Sequence, residues 1–257
     1  MHPTPAACAA FGASGEPKPL SGGEGRAWRV GDLVLKPCSD PDEWTWLATV
    51  LPTIPQDGFR LALPIPAHDG SWVADGWCAQ PLVPGQHAER WADVIATGCR
   101  FHEATAGLTR PAFLDARTNP WSCGDRVAWE EMTPSVAHPL LDALLKLREP
   151  VDVPAQVVHG DLTENVLFED DLWPAIIDVT PYFRPPGFAS AVVVGDAVRW
   201  RDADPEPLLE ATADDPAFAQ LFVRAVIYRL VTSLLFGRED VGYFGSDVEL
   251  ATRLVRG

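Results

Sequence analysis

The spacing of apolar residues changes near Gln86 and divides the chain into two parts. Before that residue, short stretches in which apolar and polar side chains alternate predict β-strands, most clearly at 27–30 and 33–36 on either side of a Gly31-Asp32 turn. After it, apolar residues recur every three or four positions over longer stretches, which predicts helices. The pattern therefore predicts an α+β protein with a small β-rich N-terminal part and a larger, mostly helical C-terminal part.

Individual helices and a second hairpin follow from the same pattern. Helices are predicted at residues 41–50, 88–104, 139–147, 189–200 and 217–236. A second tight hairpin is predicted at the Asp75-Gly76 turn, between strands at 72–74 and 77–79.

Polar side chains gather at the ends of three short strands predicted at 157–158, 166–168 and 175–177. If the last two strands pair about a turn at 169–174, Asn165 lies opposite Asp178, with Asp161 on the preceding elbow. Amide and carboxylate oxygens suit a hard cation such as Mg²⁺, so Asn165 and Asp178 are candidate metal ligands. Asp161 is then a candidate base that orients a hydroxyl group and accepts its proton. A plain polar β-turn capped by Asp161 is the alternative.

A glycine-containing loop precedes the first hairpin. Its glycines, Gly22, Gly23 and Gly25, allow backbone N–H groups to approach phosphate oxygens closely, because no Cβ is in the way. On the second strand of that hairpin, alternation places Val34 and Lys36 on one face, so Val34 can cover a nucleobase while Lys36 reaches the α- and β-phosphates. The loop alone also fits an ordinary flexible turn. The G-x-x-x-x-G-K-[ST] pattern of P-loop proteins does not occur in the sequence.

Glu43 has two interpretations. It lies on the apolar face of the predicted helix, where it could form an ion pair with Lys36. It is also the third residue of a helix that Asp40 caps and Pro41 begins, which makes it a partner in a capping box. The sequence leaves both interpretations open.

The charge of the chain narrows the classes of partner. The 257 residues carry 20 basic and 36 acidic side chains, a formal net charge of −16, and 47% of them are hydrophobic. This composition predicts a globular protein with a substantial core. The negative field opposes binding to nucleic acid or to an anionic membrane, and it attracts cationic solutes. A charge that serves solubility alone is the alternative.

The cysteines and the N-terminus favour a cytoplasmic location. The five cysteines are scattered without a C-x-x-C pair, so neither a disulfide framework nor a zinc site is indicated. No run of eighteen apolar residues occurs, and the first residues lack a basic start and an apolar core. Residues 1–17 are expected to form a loosely held lead-in with one helical turn at 6–11.

The residues around Asp161 resemble the core of a known family. The tetrad His-Gly-Asp-Leu at 159–162, followed by Asn165 and by Asp178 at the end of a strand, is similar to the catalytic motif of the aminoglycoside phosphotransferase family, a branch of the protein-kinase-like fold. The interval from Asp161 to Asn165 is one residue shorter than is common in that family. Val-Thr at 179–180 stands where a protein kinase has Phe-Gly, which argues against a switchable activation segment.

The resemblance implies a two-lobed fold. Residues 1–82 would form a nucleotide-binding lobe, and residues 83–257 a catalytic and acceptor-binding lobe. Main-chain groups at the hinge, near Gln80 and Leu82, would bind the adenine edge, although a plain interdomain linker also fits this proline-rich segment. Asp196 resembles the family's structural Asp that braces the catalytic elbow, and a carboxylate in the first turn of a helix is the alternative.

The implied activity is transfer of the γ-phosphoryl group of ATP, bound with Mg²⁺, to a hydroxyl group of a small molecule, such as an aminoglycoside-like antibiotic or a metabolite. GTP is an alternative donor, and a cationic acceptor fits the acidic charge. No nucleic acid or membrane partner is expected, and the sequence does not indicate an oligomeric state. Two other functions stay open: a nucleotide-binding pseudokinase, and a kinase that acts on a peptide side chain.

Overall fold

The computed structural model describes residues 2–20 and 25–257. Within these ranges the strands are β1 Lys18–Pro19, β2 Trp28–Val30, β3 Leu33–Pro37, β4 Arg60–Leu61, β5 Trp77–Pro81, β6 Gln156–His159, β7 Val166–Leu167, β8 Ala175–Ile176 and β9 Pro181–Arg184. The helices are α1 Pro5–Ala10, α2 Pro41–Val50, α3 Trp91–Thr105, α4 Phe113–Ala116, α5 Pro120–Ala128, α6 Pro139–Leu147, α7 Pro186–Arg201, α8 Pro205–Glu210, α9 Phe218–Leu235 and α10 Gly245–Arg256. Short 3₁₀ turns follow α2 and precede α10.

The chain divides into two compact units. The first is formed by Met1–Ala88 and Glu164–Val179, and the second by Glu89–Thr163 and Thr180–Gly257. The first unit therefore extends beyond residue 82, the predicted end of the N-terminal lobe. It also takes in the hairpin of β7 and β8, which the prediction had placed in the second lobe.

The first unit contains a sheet of strand order β1-β2-β3-β5. The predicted Gly31-Asp32 turn joins β2 to β3, and Gly31 adopts a left-handed φ of 62° that this tight turn requires. Helix α1 packs on the sheet, with Ala7 and Phe11 buried against Leu35. The N-terminal residues are thus part of the core, and the expectation of a loosely held lead-in was wrong.

A second sheet in the same unit has the order β4-β8-β7. Its observed register pairs Val166 with Ile176, and the N–H of Ile177 donates to the carbonyl oxygen of Asn165 at 2.9 Å. The predicted pairing of Asn165 with Asp178 is therefore wrong by one residue. In the observed register the backbone of Phe168 faces away from β8 and exchanges hydrogen bonds with Gln86.

The second unit is mostly helical and contains an antiparallel pair, β6 with β9, whose register places His159 opposite Pro181. Helix α9 forms its centre, and α5, α6, α7 and α10 pack against it. By length and composition α9 is the one helix among the described residues that could cross a membrane, but 72% of it is buried inside the protein, as in a core helix. The β6–β9 pair presents the elbow that follows His159.

Candidate active site

Lys36 and Asp178 form an ion pair in the first unit. Lys36 lies on β3, whereas Asp178 lies just beyond β8, 142 residues later in the chain. The ammonium group of Lys36 donates a hydrogen bond to Oδ1 of Asp178. Their side chains are 20% and 39% exposed, so solvent reaches both. The fold therefore brings the predicted phosphate-binding cation and one predicted metal ligand to the same point.

The surroundings of Lys36 combine burial with negative charge. Burial lowers the pKa of Lys36, and the neighbouring Cys78 and Glu43 oppose that shift. The ammonium nitrogen also lies 5.1 Å from the ring centroid of Trp44, a favourable cation–π distance. Glu43 donates its backbone N–H to Oδ1 of Asp40 at 3.0 Å, which confirms the predicted helix cap. The helix cap is therefore observed, whereas the ion pair between Glu43 and Lys36 stays a prediction.

The two predicted metal ligands, Asn165 and Asp178, lie at the same end of one hairpin, Asn165 just before β7 and Asp178 just beyond β8. The N–H of Ile177 donates to the carbonyl oxygen of Asn165, so Asn165 lies opposite the residue that precedes Asp178. Asp178 has a left-handed φ of 47°, a conformation that Asp tolerates better than most residues. Both side chains are half-buried, and both offer oxygen. This donor set fits Mg²⁺, which takes few protein oxygens and completes its shell with phosphates and water.

The structure describes most of the predicted nucleotide-binding residues, but not all of them. Gly22 and Gly23 lie outside the described residues, and Gly25 has a left-handed φ of 66°. Val34 and Gln80 are buried and pair across β3 and β5.

Leu82 follows β5 and continues its pairing with the preceding hairpin. Its N–H donates to the carbonyl oxygen of Asp32 at 2.8 Å, so this hinge N–H is engaged within the sheet.

The elbow at 159–162 lies in the second unit and is held by backbone hydrogen bonds. Nδ1 of the buried His159 accepts a hydrogen bond from the N–H of Asp161 at 3.2 Å, and the N–H of Gly160 donates to the carbonyl oxygen of Thr180 at 3.0 Å. A Cβ at Gly160 would overlap the ring of Tyr182, so only glycine fits there. The His-Gly pair thus fixes the backbone from which the Asp161 side chain projects.

Asp161 is held by an arginine that the sequence analysis missed. Nη2 of Arg229, on α9, donates to Oδ1 of Asp161 at 2.6 Å. The same guanidinium contacts both carboxylate oxygens of Asp196 on α7, with Nε 3.0 Å from Oδ1. Asp196 therefore braces the elbow as its resemblance implied, but through Arg229.

One signal in the sequence could have revealed this arginine. Arg229 and Arg224 both interrupt the long apolar helix α9, and a buried guanidinium requires acceptors such as a carboxylate or backbone carbonyls.

The network continues into the core through Arg199. Its guanidinium donates to Asp196 at 3.2 Å and to both oxygens of Asp247 at 2.8 and 3.0 Å. Burial raises the pKa of Asp247, and Arg199 opposes that shift. Burial would lower the pKa of Arg229, but Asp196 and other neighbours raise it well above its usual value. Arg229 therefore remains a cation beside the carboxylates of Asp196 and Asp161.

Comparison with protein families gives one match. The sequence model of the phosphotransferase enzyme family matches residues 18–182, which include Lys36, Asp161, Asn165 and Asp178. A search of curated protein sequences found no significant match.

Several solved structures share the fold. A thermostable mutant of aminoglycoside phosphotransferase APH(4)-Ia, in its apo form, has a TM-score of 0.62 and 17% identity, covering 97% of both chains. The aminoglycoside phosphotransferase from Alicyclobacillus acidocaldarius has a TM-score of 0.61 and 16% identity, covering 100% of this chain and 95% of its own. Spectinomycin phosphotransferase APH(9)-Ia, in complex with ADP and spectinomycin, has a TM-score of 0.59 and 14% identity, with 95% and 94% covered. These likenesses confirm the predicted kinase-like fold.

Proposed function

The chain belongs to the phosphotransferase enzyme family, and we propose that it transfers the γ-phosphoryl group of ATP to a hydroxyl group of a small molecule. The observation that carries the proposal is the pairing of Lys36 with Asp178 at the end of the β7–β8 hairpin. A nucleoside triphosphate bound with a divalent cation has the complementary charges, since its phosphates attract the ammonium group and its metal attracts the carboxylate.

The proposed nucleotide site lies on the first sheet. Lys36 binds the α- and β-phosphates, and the glycine loop, Gly22, Gly23 and Gly25, offers backbone N–H groups to them. Val34 covers the nucleobase, whose edge meets main-chain groups near Gln80 and Leu82 other than the Leu82 N–H, which is bonded to Asp32. Among the similar structures, the spectinomycin enzyme is an ADP complex and aminoglycoside 2'-phosphotransferase-IIIa is a GDP complex, which supports a purine nucleotide and keeps GTP as the alternative donor.

Asn165 and Asp178 are the residues that would hold Mg²⁺. When bound, the ion neutralises charge on the phosphates during transfer. The half-buried position of both side chains lets them reach a ligand while the hairpin holds their backbones. Because Asp178 also pairs with Lys36, the same carboxylate keeps the ammonium group in place.

Asp161 is proposed to orient the acceptor hydroxyl group and to accept its proton. Its side chain is 41% exposed, so a hydroxyl group can approach it, whereas its backbone is fixed by His159. Phosphoryl transfer depends mainly on positioning and charge neutralisation, which a rigid elbow and a cation on the phosphates supply.

The proposed acceptor is a small, hydroxyl-bearing molecule, and a cationic one is favoured. The formal net charge of −16 attracts cations to the protein surface. The similar solved structures are described as aminoglycoside and spectinomycin phosphotransferases, which supports an aminoglycoside-like antibiotic or a related metabolite as the first class to test.

A panel experiment tests the function. The protein is incubated with Mg-ATP and a set of cationic and neutral hydroxyl compounds, and each compound is analysed by mass spectrometry for the gain of one phosphate. The Asp178→Ala variant serves as the control for contaminating kinases. The proposal requires that a compound is phosphorylated by the wild-type protein and not by the Asp178→Ala variant. Phosphate found only on a protein side chain, or nucleotide binding without any transfer, would instead favour a peptide kinase or a pseudokinase.

A further inference from the structure

Arg229 connects the exposed carboxylate of Asp161 to a buried ion network. Its side chain is 14% exposed, and the Asp196 carboxylate on its other side is 3% exposed. Asp196 in turn contacts Arg199, which is paired with the fully buried Asp247. The guanidinium on α9 therefore contacts α7 directly, is linked to α10 through Asp196 and Arg199, and contacts the elbow on its other side.

We propose that Arg229 is a positioning residue, which sets the orientation of the Asp161 carboxylate for proton acceptance. This inference rests on the proposed role of Asp161. The hydrogen bond from Nη2 to Oδ1 restricts rotation of the carboxylate about its last bond, and so fixes the direction in which Oδ2 points. A base that is held in one orientation loses less entropy in the transition state than one that rotates freely.

The geometry favours arginine over lysine at this position. A planar guanidinium can bind the Asp196 carboxylate through two nitrogens and still donate a further N–H to Asp161. A lysine ammonium is a single point charge, and it cannot reproduce this fork between two carboxylates. Arginine also keeps its proton at any pH that a protein tolerates, so it orients the base without competing for the acceptor's proton.

A purely structural role is the competing explanation, because Arg229 also joins α9 to α7 through Asp196. The two roles predict different transfer rates when the substitutions at Arg229 and Asp161 are combined in one protein. If Arg229 acts through Asp161, its removal costs nothing further once Asp161 is replaced. If Arg229 only supports the helices, its removal lowers the rate by the same factor in both backgrounds.

A double-mutant cycle in the transfer rate separates these roles. The four proteins are the wild type, Asp161→Asn, Arg229→Ala and the double variant, assayed with Mg-ATP and a compound phosphorylated in the panel. We expect Arg229→Ala to lower kcat by roughly 10–100-fold with little change in KM for ATP, and to have no further effect in the Asp161→Asn background. Millimolar guanidinium should partly restore kcat to Arg229→Ala but not to the double variant.

Two further variants control for folding. Arg224→Ala removes another buried arginine from α9, one that donates to the backbone carbonyls of Gln220 and Glu149 and does not contact Asp161. It should lower the melting temperature without the drop in kcat. Should Arg229→Ala fail to fold, Arg229→Lys takes its place in the cycle. This variant keeps the buried positive charge but cannot bind Asp196 and Asp161 at the same time, as the guanidinium does.

Each outcome decides a different point. Equal losses from Arg229→Ala in both backgrounds, with Asp161→Asn still impaired, overturn the positioning role and leave the base intact. Wild-type activity in Asp161→Asn, or no transfer by the wild type, overturns the proposed function and this inference with it.

Discussion

The ring of His102 accepts a hydrogen bond from the backbone N–H of His159, with His102 Nε2 and His159 N 3.1 Å apart. Both residues are fully or almost fully buried, and His159 is the last residue before the Gly-Asp elbow. Because Nε2 accepts this bond, His102 must be neutral, and protonation would place two donors face to face. The neutral form of His102 thus supports the end of β6, from which the elbow with Asp161 begins.

This relationship predicts that acid weakens the fold. Burial, with a smaller effect of His159, lowers the pKa of His102 from its usual 6.5 to about 3. Below about pH 6.5 the unfolded chain takes up a proton at His102 that the folded protein cannot, so stability falls as the pH falls towards 3. The loss from this residue is at most about 1.4 kcal/mol per pH unit in that window.

The measurement compares His102→Gln with the wild type. A glutamine oxygen can accept the same hydrogen bond, but it does not titrate, so the free energy of unfolding should depend less on pH between 6.5 and 4. The control is His68→Gln at an exposed position, which should keep the wild-type slope. Identical pH profiles for His102→Gln and the wild type would show that His102 titrates normally in the folded protein.

A second prediction concerns nucleotide binding. A ligand that binds only the folded state raises its stability, by about 2.7 kcal/mol at a concentration 100 times its Kd. For a chain of this size, Mg-ATP should therefore raise the melting temperature by roughly 5–10 °C. The Asp178→Ala variant should show a smaller shift. The absence of any shift with both Mg-ATP and Mg-GTP would contradict the nucleotide site.

Lys36 provides a third prediction. Lys36→Met keeps the aliphatic stem beside Trp44 but removes the charge proposed to bind the phosphates, so transfer should fall by roughly 10²–10³-fold. Since Lys36 and Asp178 are partly exposed, loss of their ion pair should change the unfolding free energy by less than about 1 kcal/mol. Lys18→Met, at an exposed position on β1, is the matched control and should keep full activity. A variant that unfolds instead would make Lys36 a structural partner of Asp178.

The sequence was most informative where local chemistry decides the backbone. The Gly31-Asp32 turn, the Asp40 cap and the start of α6 after His138 depend on residues within a few positions of each other. The Asp75-Gly76 turn also forms, but only Ala74 pairs across it, with Trp77, so the strand predicted at 72–74 was wrong. Helix α6 has the predicted bounds, and α9 differs from its prediction by one residue at each end. The family motif then placed Lys36 and Asp178 in one site although 142 residues separate them.

Features that depend on tertiary contacts were not predictable in this way. The hairpin register differs by one residue from the predicted one, and Phe168 pairs with Gln86, which lies far away in sequence. Helix α5 was missed because its buried face is made of small and polar residues rather than a periodic apolar stripe. A Cβ at Gly124 would overlap Thr232, so this face packs closely on α9. Arg229 belongs to no motif, and its role appears only when α7, α9 and the elbow are placed together.

The final prediction separates the two carboxylates, because the proposed function gives them different tasks. Asp178 is assigned to the metal, so Asp178→Ala should weaken Mg-dependent nucleotide binding and abolish transfer together. Asp161 is assigned to the acceptor hydroxyl group, so Asp161→Asn should bind Mg-ATP almost normally while its transfer rate falls by roughly 10²–10⁴-fold. Calorimetric titration and single-turnover phosphorylation on the same preparations measure the two effects.

Asp170→Ala, in the exposed turn of the β7–β8 hairpin, controls for loss of a carboxylate from the Asp178 hairpin and should change neither quantity. The comparison of the two variants distinguishes the assignments. If both carboxylates had the same structural role, each replacement would lower nucleotide binding and transfer together. If Asp161→Asn loses nucleotide affinity as severely as Asp178→Ala, the elbow serves metal binding or architecture. If it keeps near-normal turnover, the proton is accepted elsewhere, and the hydrogen bond from Arg229 then holds a carboxylate that takes no part in the transfer.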